Sequence, residues 1–517
     1  ESDEETAGLT SERHIDRKNA AIKKVSTIVS GVSGAVVIVF IIAYMASGSE
    51  DHDKAVHEKP GGVPTLDVKL DDVWIHLEKL QEIANDNNGT RCLGTNGYKQ
   101  SLSYIKEVLE ATGAFVNVWM EPGVNKTMNL SRKHGLELLN GTKVLKSFKK
   151  REEFRELRGT AFGNVTNEVV MVDNLGCEMG DFGQGRFNNG EIALIKRGNW
   201  SLHPMRCNFP RSTFYEKVIN AENAGAMGVI VENYDPEPCG GTLGSPEVDP
   251  TIPSVCVGSC IHSLAGQRVH LWISGFRGHV VSYNLLADTQ GNPDNTIVFS
   301  SHLDSVPDGP GINDNGSGSA TNLAVALALV RQTTPPENRV RFAWWAGEEK
   351  GLLGSREYVA NLNSTEQGRK ELDNIVLNIN MDMLGSPNFE REILNGSQIS
   401  RPTEYLTETF ATHFAGQGIR YTLRDYHTRS DHAAFVEVGI PAISVETGAD
   451  GEKTPEGRKM FGGLANTVFD PCYHDACDTL ENVNQGVLEE EAQAIAHALV
   501  QFAYDTEIRM KLPETDE

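Results

Sequence analysis

Seven side chains able to hold a cation fall at repeating places in the second half of the chain. His302 and Asp304 close the apolar run TIVFSSHLD, Glu348 and Glu349 close VRFAWWAGEE, and Asp382 closes IVLNINMD. Asp314 lies in the glycine-rich stretch GPGINDNGSG, and His474 follows Tyr473 in DPCYHDACDT. Imidazole and carboxylate are the ligand types that Zn²⁺ takes. Taken singly, a carboxylate at a strand end reads as a solvated or helix-capping group. The same pattern at three strand ends reads as a cation site.

The elements that must position these groups are legible from periodicity. Strand-like runs at 296–300, 340–346 and 375–380 alternate with helical stretches at 319–330, 355–361 and 489–506. Strands this apolar, set between amphipathic helices, predict an α/β fold: a mixed, mostly parallel sheet flanked by helices on both faces. Ligands of such a sheet gather at the carboxyl ends of its strands, where these residues lie. Ahead of it, Leu66, Leu70, Val73, Trp74, Leu77, Leu80 and Ala84 recur at helical spacing, and Tyr98, Leu102, Ile105, Val108 and Leu109 repeat the pattern. Residues 140–280 read as a small α+β module without a reactive cluster of its own. Its strand-like runs are 169–172, 191–196, 228–232 and 268–273, and 215–226 has helical spacing.

From Val25 to Ala46 there are 22 residues without a charge, long enough to span a bilayer as one helix. Arg13, Arg17, Lys18, Lys23 and Lys24 precede the run and Glu50, Asp51 and Asp53 follow it. The positive-inside rule then predicts a cytoplasmic tail (1–24), a signal anchor (25–46), a stalk (47–64) and a large part outside the cytosol or in a lumen. That is a single-pass type II membrane protein of the plasma membrane or of a vacuole or lysosome, open to release by cleavage in the stalk. A cleaved signal peptide ending at Ala46-Ser47-Gly48 is the alternative. Nine Asn-x-Ser/Thr sequons suit a lumenal chain, although Asn315, next to Asp314, is expected to be buried and unmodified. With 47 Lys+Arg against 71 Asp+Glu the net charge is −24, which argues against nucleic-acid binding. The eight cysteines are too few for a disulfide scaffold.

The segments HLDSV, GPGINDNGSG, AGEEKGLLGS, NMDMLGS, RSDHAAF with GIPA, and DPCYHDACDT resemble the two-zinc aminopeptidases, the family of secreted bacterial leucine aminopeptidases and fungal aminopeptidase Y. KVINAENAGAMGVIV resembles the protease-associated domain inserted in such enzymes. The resemblance implies a zinc-peptidase domain made of 65–139 and 281–511, with the inserted domain at 140–280. It also implies peptide substrates and two Zn²⁺ ions. His302 and Asp382 would complete one zinc site, Glu349 and His474 the other, and Asp314 would bridge them. Glu348 would be the general base and Tyr473 the donor to the developing oxyanion.

Asp304 is expected to accept the second N–H of the His302 ring. Arg429 would make a polar contact near the substrate or a salt bridge with Asp431, and His427 and His432 would be pocket-lining or hydrogen-bonded. Cys472 and Cys477 form a disulfide in related bacterial enzymes, a zinc-binding thiolate pair being the alternative. Cys256 with Cys260, and Cys207 with Cys239, are candidate pairs in the inserted domain, while Cys92 and Cys177 have no assigned partner. The activity expected is removal of N-terminal, apolar residues from peptides. A glutamate-type carboxypeptidase or dipeptidase on the same scaffold, and a receptor-like relative without activity, are the alternatives; the receptor should have lost a metal ligand, and none is replaced. Oligomeric state is not given by the sequence.

Overall fold

The computed structural model describes residues 63–512 apart from 151, 199–213, 235, 242, 244–249 and 260–263. The tail, the apolar span 25–46 and nearly all of the stalk lie outside these residues. Among the described residues no helix is long and apolar enough to cross a membrane. The described residues form two compact units, one made of those up to Gly123 together with those from Tyr283 onward, the other being Val124–Ser282.

Two amphipathic helices open the first unit. Helix α1 (Leu70–Asp86) buries Val73, Leu77, Leu80 and Ala84. Helix α2 (Asn96–Ala111) starts at Thr95, whose Oγ1 accepts the Tyr98 N–H at 3.3 Å, the usual N-cap device. Strand β1 (Asn117–Asn140) then pairs antiparallel with β2 (Lys143–Ser147). The second unit, Val124–Ser282, takes in the later part of β1 and all of β2.

The second unit contains β3 (Phe154–Glu156), β4 (Gly163–Met171), β5 (Ile192–Lys196), α3 (Phe214–Asn223), β6 (Gly228–Glu232), β7 (Ser254–Val257) and the first half of β8 (Arg268–Asp288). Strands β4, β5, β6 and β7 pair in parallel, and β8 and β3 close the two ends antiparallel. Alternating residues of the sheet build two cores, one around Val169, Leu194 and Ile230, the other around Ala193 and Val229, where Val218 of α3 packs. Cys239 and Cys256 are joined by a disulfide, with Cα atoms 5.6 Å apart. That corrects the pairing of Cys207 with Cys239 and of Cys256 with Cys260: the strand position of Cys256 brings it to Cys239, which the spacing of cysteines along the chain does not encode.

The remainder of the first unit holds the larger sheet. It comprises β9 (Asn292–His302), α4 (Gly318–Val330), β10 (Asn338–Trp345), α5 (Leu353–Asn363), α6 (Glu366–Asp373), β11 (Ile375–Met381), β12 (Glu392–Leu394), α7 (Arg401–Gly416), β13 (Thr422–Arg424), α8 (His432–Val436), β14 (Ala442–Glu446), α9 (Pro455–Phe461) and α10 (Gln485–Ala503). The order is β13-β12-β14-β11-β9-β10-β8. β10, β9, β11 and β14 are parallel, β12 pairs parallel with β13, and β12/β14 and β10/β8 are antiparallel. The mixed, mostly parallel α/β sheet expected from the apolar runs is present. Helix α4, GSATNLAVALALV, is apolar nearly all round because it is buried along almost its whole length.

Candidate metal centre

The parallel register sets β9, β10 and β11 side by side so that their carboxyl ends coincide. His302 stands opposite Trp345, one strand end against the next. The backbone then turns sharply at each end. Gly347 (φ 72°, ψ 34°) starts the tight turn carrying Glu348 and Glu349, and Gly311 (φ 64°, ψ 51°) precedes Asp314; both conformations favour glycine. His474 itself has φ 60°, inside a loop closed by the Cys472–Cys477 disulfide.

These turns bring the predicted groups together. His302 Nε2 lies 3.3 Å from Asp314 Oδ1 and 3.4 Å from Asp382 Oδ1. His474 Nε2 lies 2.9 Å from Asp314 Oδ2 and 2.9 Å from Glu349 Oε1. Asp314 thus turns one oxygen to each histidine. His302, Asp314 and Asp382 form one group and Asp314, Glu349 and His474 a second, each with its donor atoms within 4.8 Å of one another.

Each donor is aimed by a partner behind it. His302 Nδ1 donates to the Asp304 carbonyl at 3.0 Å, which places a proton on Nδ1 and turns Nε2 toward the carboxylates. The Asp304 carboxylate is 3.8 Å from that nitrogen and does not hold it, contrary to the sequence expectation. Its Oδ1 accepts instead the N–H groups of Gly347 (2.8 Å) and Glu348 (3.1 Å), donors left open by the tight turn. Ser430 Oγ donates to Asp382 Oδ2 at 2.6 Å and accepts from Asn380 Nδ2 at 2.8 Å. Asp382 Oδ1 is buried without a well-formed hydrogen bond. The Asp478 carboxylate accepts the N–H groups of Asn313 (2.8 Å) and Asp314 (3.0 Å).

The electrostatics follow from so many carboxylates in one dry place. Burial pushes the Glu348 carboxyl well above the ordinary range; Glu349, Asp382 and Asp431 push it the same way, and His302 opposes. Burial would also raise Asp314, but hydrogen bonds from both imidazoles hold it far below. Two imidazoles, an orphaned buried carboxylate oxygen and a carboxylate shared between two groups are a donor set that Zn²⁺ fits.

The Tyr473 ring stacks on the His474 ring, centroids 3.7 Å apart at 22°. Arg429 pairs with Asp450 at 2.9 Å and not with Asp431, whose Oδ1 is taken by Ser355 Oγ at 2.5 Å. Buried in the interior, Asp431 is drawn to the neighbouring hydroxyl while the half-exposed Arg429 turns outward. His432 Nε2 meets the His427 carbonyl at 2.8 Å, and His427 faces Glu446 at 3.6 Å, so neither joins the two groups. The Asn315 side chain is buried; its Nδ2 donates to the Met381 carbonyl at 2.8 Å. Sequence reasoning missed Ser430, Asp478 and Arg91. The first two sit inside the quoted motifs, and Arg91 carries no local signal.

The model of peptidase family M28 matches residues 284–499 and that of the PA domain residues 165–260. An aminopeptidase of Pseudomonas aeruginosa is 34% identical over 474 residues, covering 87% of this chain and 83% of its own. Leucine aminopeptidase 2 of Arthroderma otae is 35% identical over 460 residues, 84% of each chain. The chain belongs to peptidase family M28. It is a hydrolase of the aminopeptidase kind, and the likeness read from its motifs is borne out. The fold agrees: the aminopeptidase of Aneurinibacillus sp. strain AM-1 superposes with TM-score 0.64 at 23% identity, covering 86% of this chain and 96% of its own. A zinc aminopeptidase of Bacillus subtilis superposes with TM-score 0.60 at 24% identity, covering 86% and 97%.

Proposed function

We propose that this protein removes N-terminal, apolar residues from peptides with two zinc ions. His302, Asp382 and Asp314 would hold one ion, and Asp314, Glu349 and His474 the other. The observation that carries this reading is the division of the Asp314 carboxylate, one oxygen at 3.3 Å from His302 and the other at 2.9 Å from His474. When bound, zinc supplies Lewis-acid polarisation of the scissile carbonyl and acidifies water.

The remaining chemistry belongs to side chains of this chain. Glu348, held by its backbone N–H on Asp304 and engaged by neither ligand group, takes a proton from the attacking water and delivers it to the leaving amine. The Tyr473 phenol donates to the oxygen on which negative charge develops.

The span 25–46 would anchor the protein, with the catalytic part outside the cytosol or in a lumen. The charge asymmetry about that span and the disulfides Cys239–Cys256 and Cys472–Cys477 support this. The deciding experiment compares a free-amine leucyl peptide with its N-acetylated form, each with and without chelator. Release of leucine only from the free amine, lost on chelation and restored by zinc, is expected. Cleavage of the blocked peptide, or activity that survives chelation, would overturn the reading.

A further inference from the structure

Arg91 lies in the turn between α1 and α2, and its side chain is fully buried. The guanidinium donates to three backbone carbonyls: Nη1 to Leu303 at 2.6 Å, Nε to Pro310 at 2.9 Å and Nη2 to Gly311 at 2.5 Å. Its own backbone is laced to the same loop. The Arg91 N–H donates to Ser305 Oγ at 3.0 Å, and the Ser305 N–H returns to the Arg91 carbonyl at 3.4 Å. Ser305 Oγ in turn lies 3.0 Å from the Gly309 carbonyl. Both ends of the loop 303–311 are therefore tied to one residue from a distant part of the chain.

That loop is where two of the proposed zinc ligands diverge. Leu303 directly follows His302, and Gly311 comes three positions before Asp314. The packing leaves no slack: a Cβ on Gly311 would meet the Asp314 carbonyl oxygen and the Ser305 Cβ at 2.4 Å, and Arg91 Nη2 at 3.3 Å. A buried cation on neutral carbonyls alone is costly. Burial holds the guanidinium below its usual range, at about 10, and Asp478, Asp304 and Asp314 offset part of that cost, so the arginine is coupled to the same anionic centre that would hold the metal.

We infer that Arg91 is a positioning residue of the metal centre, its planar fork setting the separation of His302 and Asp314 and through it the zinc affinity. The inference rests on the two-zinc reading. Lysine has the same charge but a single nitrogen, which cannot span three carbonyls as the fork does. Charge and geometry are therefore separable by one substitution.

The test measures zinc stoichiometry and dissociation constants by competition with a chromogenic chelator, together with the visible spectrum of the Co²⁺-substituted protein, for wild type, Arg91→Lys and Ser305→Ala. Arg91→Lys should weaken zinc binding by about 10- to 100-fold, as loss of a partner behind a ligand does elsewhere. It should also alter the Co²⁺ spectrum and lower kcat for a leucyl arylamide while KM stays near wild type. Ser305→Ala should give a smaller loss in the same direction. Wild-type zinc affinity and cobalt spectrum in Arg91→Lys, whatever its melting temperature, would overturn the inference. If Arg91→Lys does not fold, the same result in Ser305→Ala overturns it. Wild-type protein that takes up no zinc fails the metal reading itself, and this inference with it, a result distinct from both.

Discussion

Asp304 Oδ1 accepts the backbone N–H of Glu348 at 3.1 Å. The carboxylate two residues beyond His302 thus fixes the turn that carries the proposed base, while its own carbonyl fixes the His302 ring. One residue orients groups on two neighbouring strand ends. Asp304→Ala should lower kcat by about 10- to 100-fold with substrate KM nearly unchanged, because the base is displaced and the binding surface is not. Steady-state kinetics on a leucyl arylamide would read this, and an unaltered kcat would remove Asp304 from that role.

Glu348→Gln tests the proton transfer itself. The amide keeps the shape and cannot take a proton, so kcat should fall by about 10²- to 10⁴-fold. Zinc content should be unchanged, since Glu348 belongs to neither ligand group. Metal analysis alongside kinetics separates loss of the base from loss of the ions.

Tyr473→Phe removes one hydroxyl from a ring stacked on His474. The stacking survives the change. A fall in kcat of about 10²-fold with little change in KM is expected for loss of a donor to the transition state. A rise in KM alone would make the phenol a substrate contact instead.

The Cys472–Cys477 bridge encloses both Tyr473 and His474 in a loop of four residues. Opening it, by reductant or by the double change to serine, frees the backbone that aims His474. Transfer of zinc to a chelator should then be several-fold faster and kcat lower, with the fold otherwise intact by circular dichroism. Equal transfer rates before and after reduction would show that the loop holds its shape without the bond.

Glu491 on α10 is fully buried, and neither of its carboxylate oxygens has a hydrogen-bond partner among the described residues. Burial pushes its pKa up to about 8 from 4.5. Between those values the folded state holds a proton that the unfolded chain has released, so this residue makes stability fall as pH rises from 4.5 to about 8. Glu491→Gln should therefore be the more stable protein at pH 8.5 by about 1 kcal/mol or more, with the advantage shrinking towards pH 5. Urea unfolding at the two pH values measures the difference.

The sequence carried those parts of the centre whose information is local. His302, Glu348, Glu349 and Asp382 each end an apolar run, and a run of that kind declares both its strand and the end at which ligands gather. What it did not carry depends on which backbone atoms meet. Arg91 binds carbonyls more than 200 residues away, and a carbonyl has no sequence identity to match. The roles of Asp304 were exchanged between its carbonyl and its carboxylate because the path of the turn, not the residue type, decides which reaches the ring. Arg429 found Asp450 and not Asp431, and Cys239 found Cys256, for the same reason: proximity in the fold outranks proximity along the chain. The short edge strands β12 and β13 and the helix α7 between them gave too brief or too mixed a pattern to be read beforehand.

The clamp from Arg91 onto the 303–311 loop also limits where the polypeptide can be trimmed. Removal of the residues ahead of Val63 would leave the described catalytic architecture whole, whereas a cut closer to Leu70 would already take away the buried Leu66 and Val68. A cut that discards the segment through Cys92 would leave His302 and Asp314 in the chain and remove the strap that spaces them, so a fragment limited to 284–499 should be inert although it contains every proposed ligand.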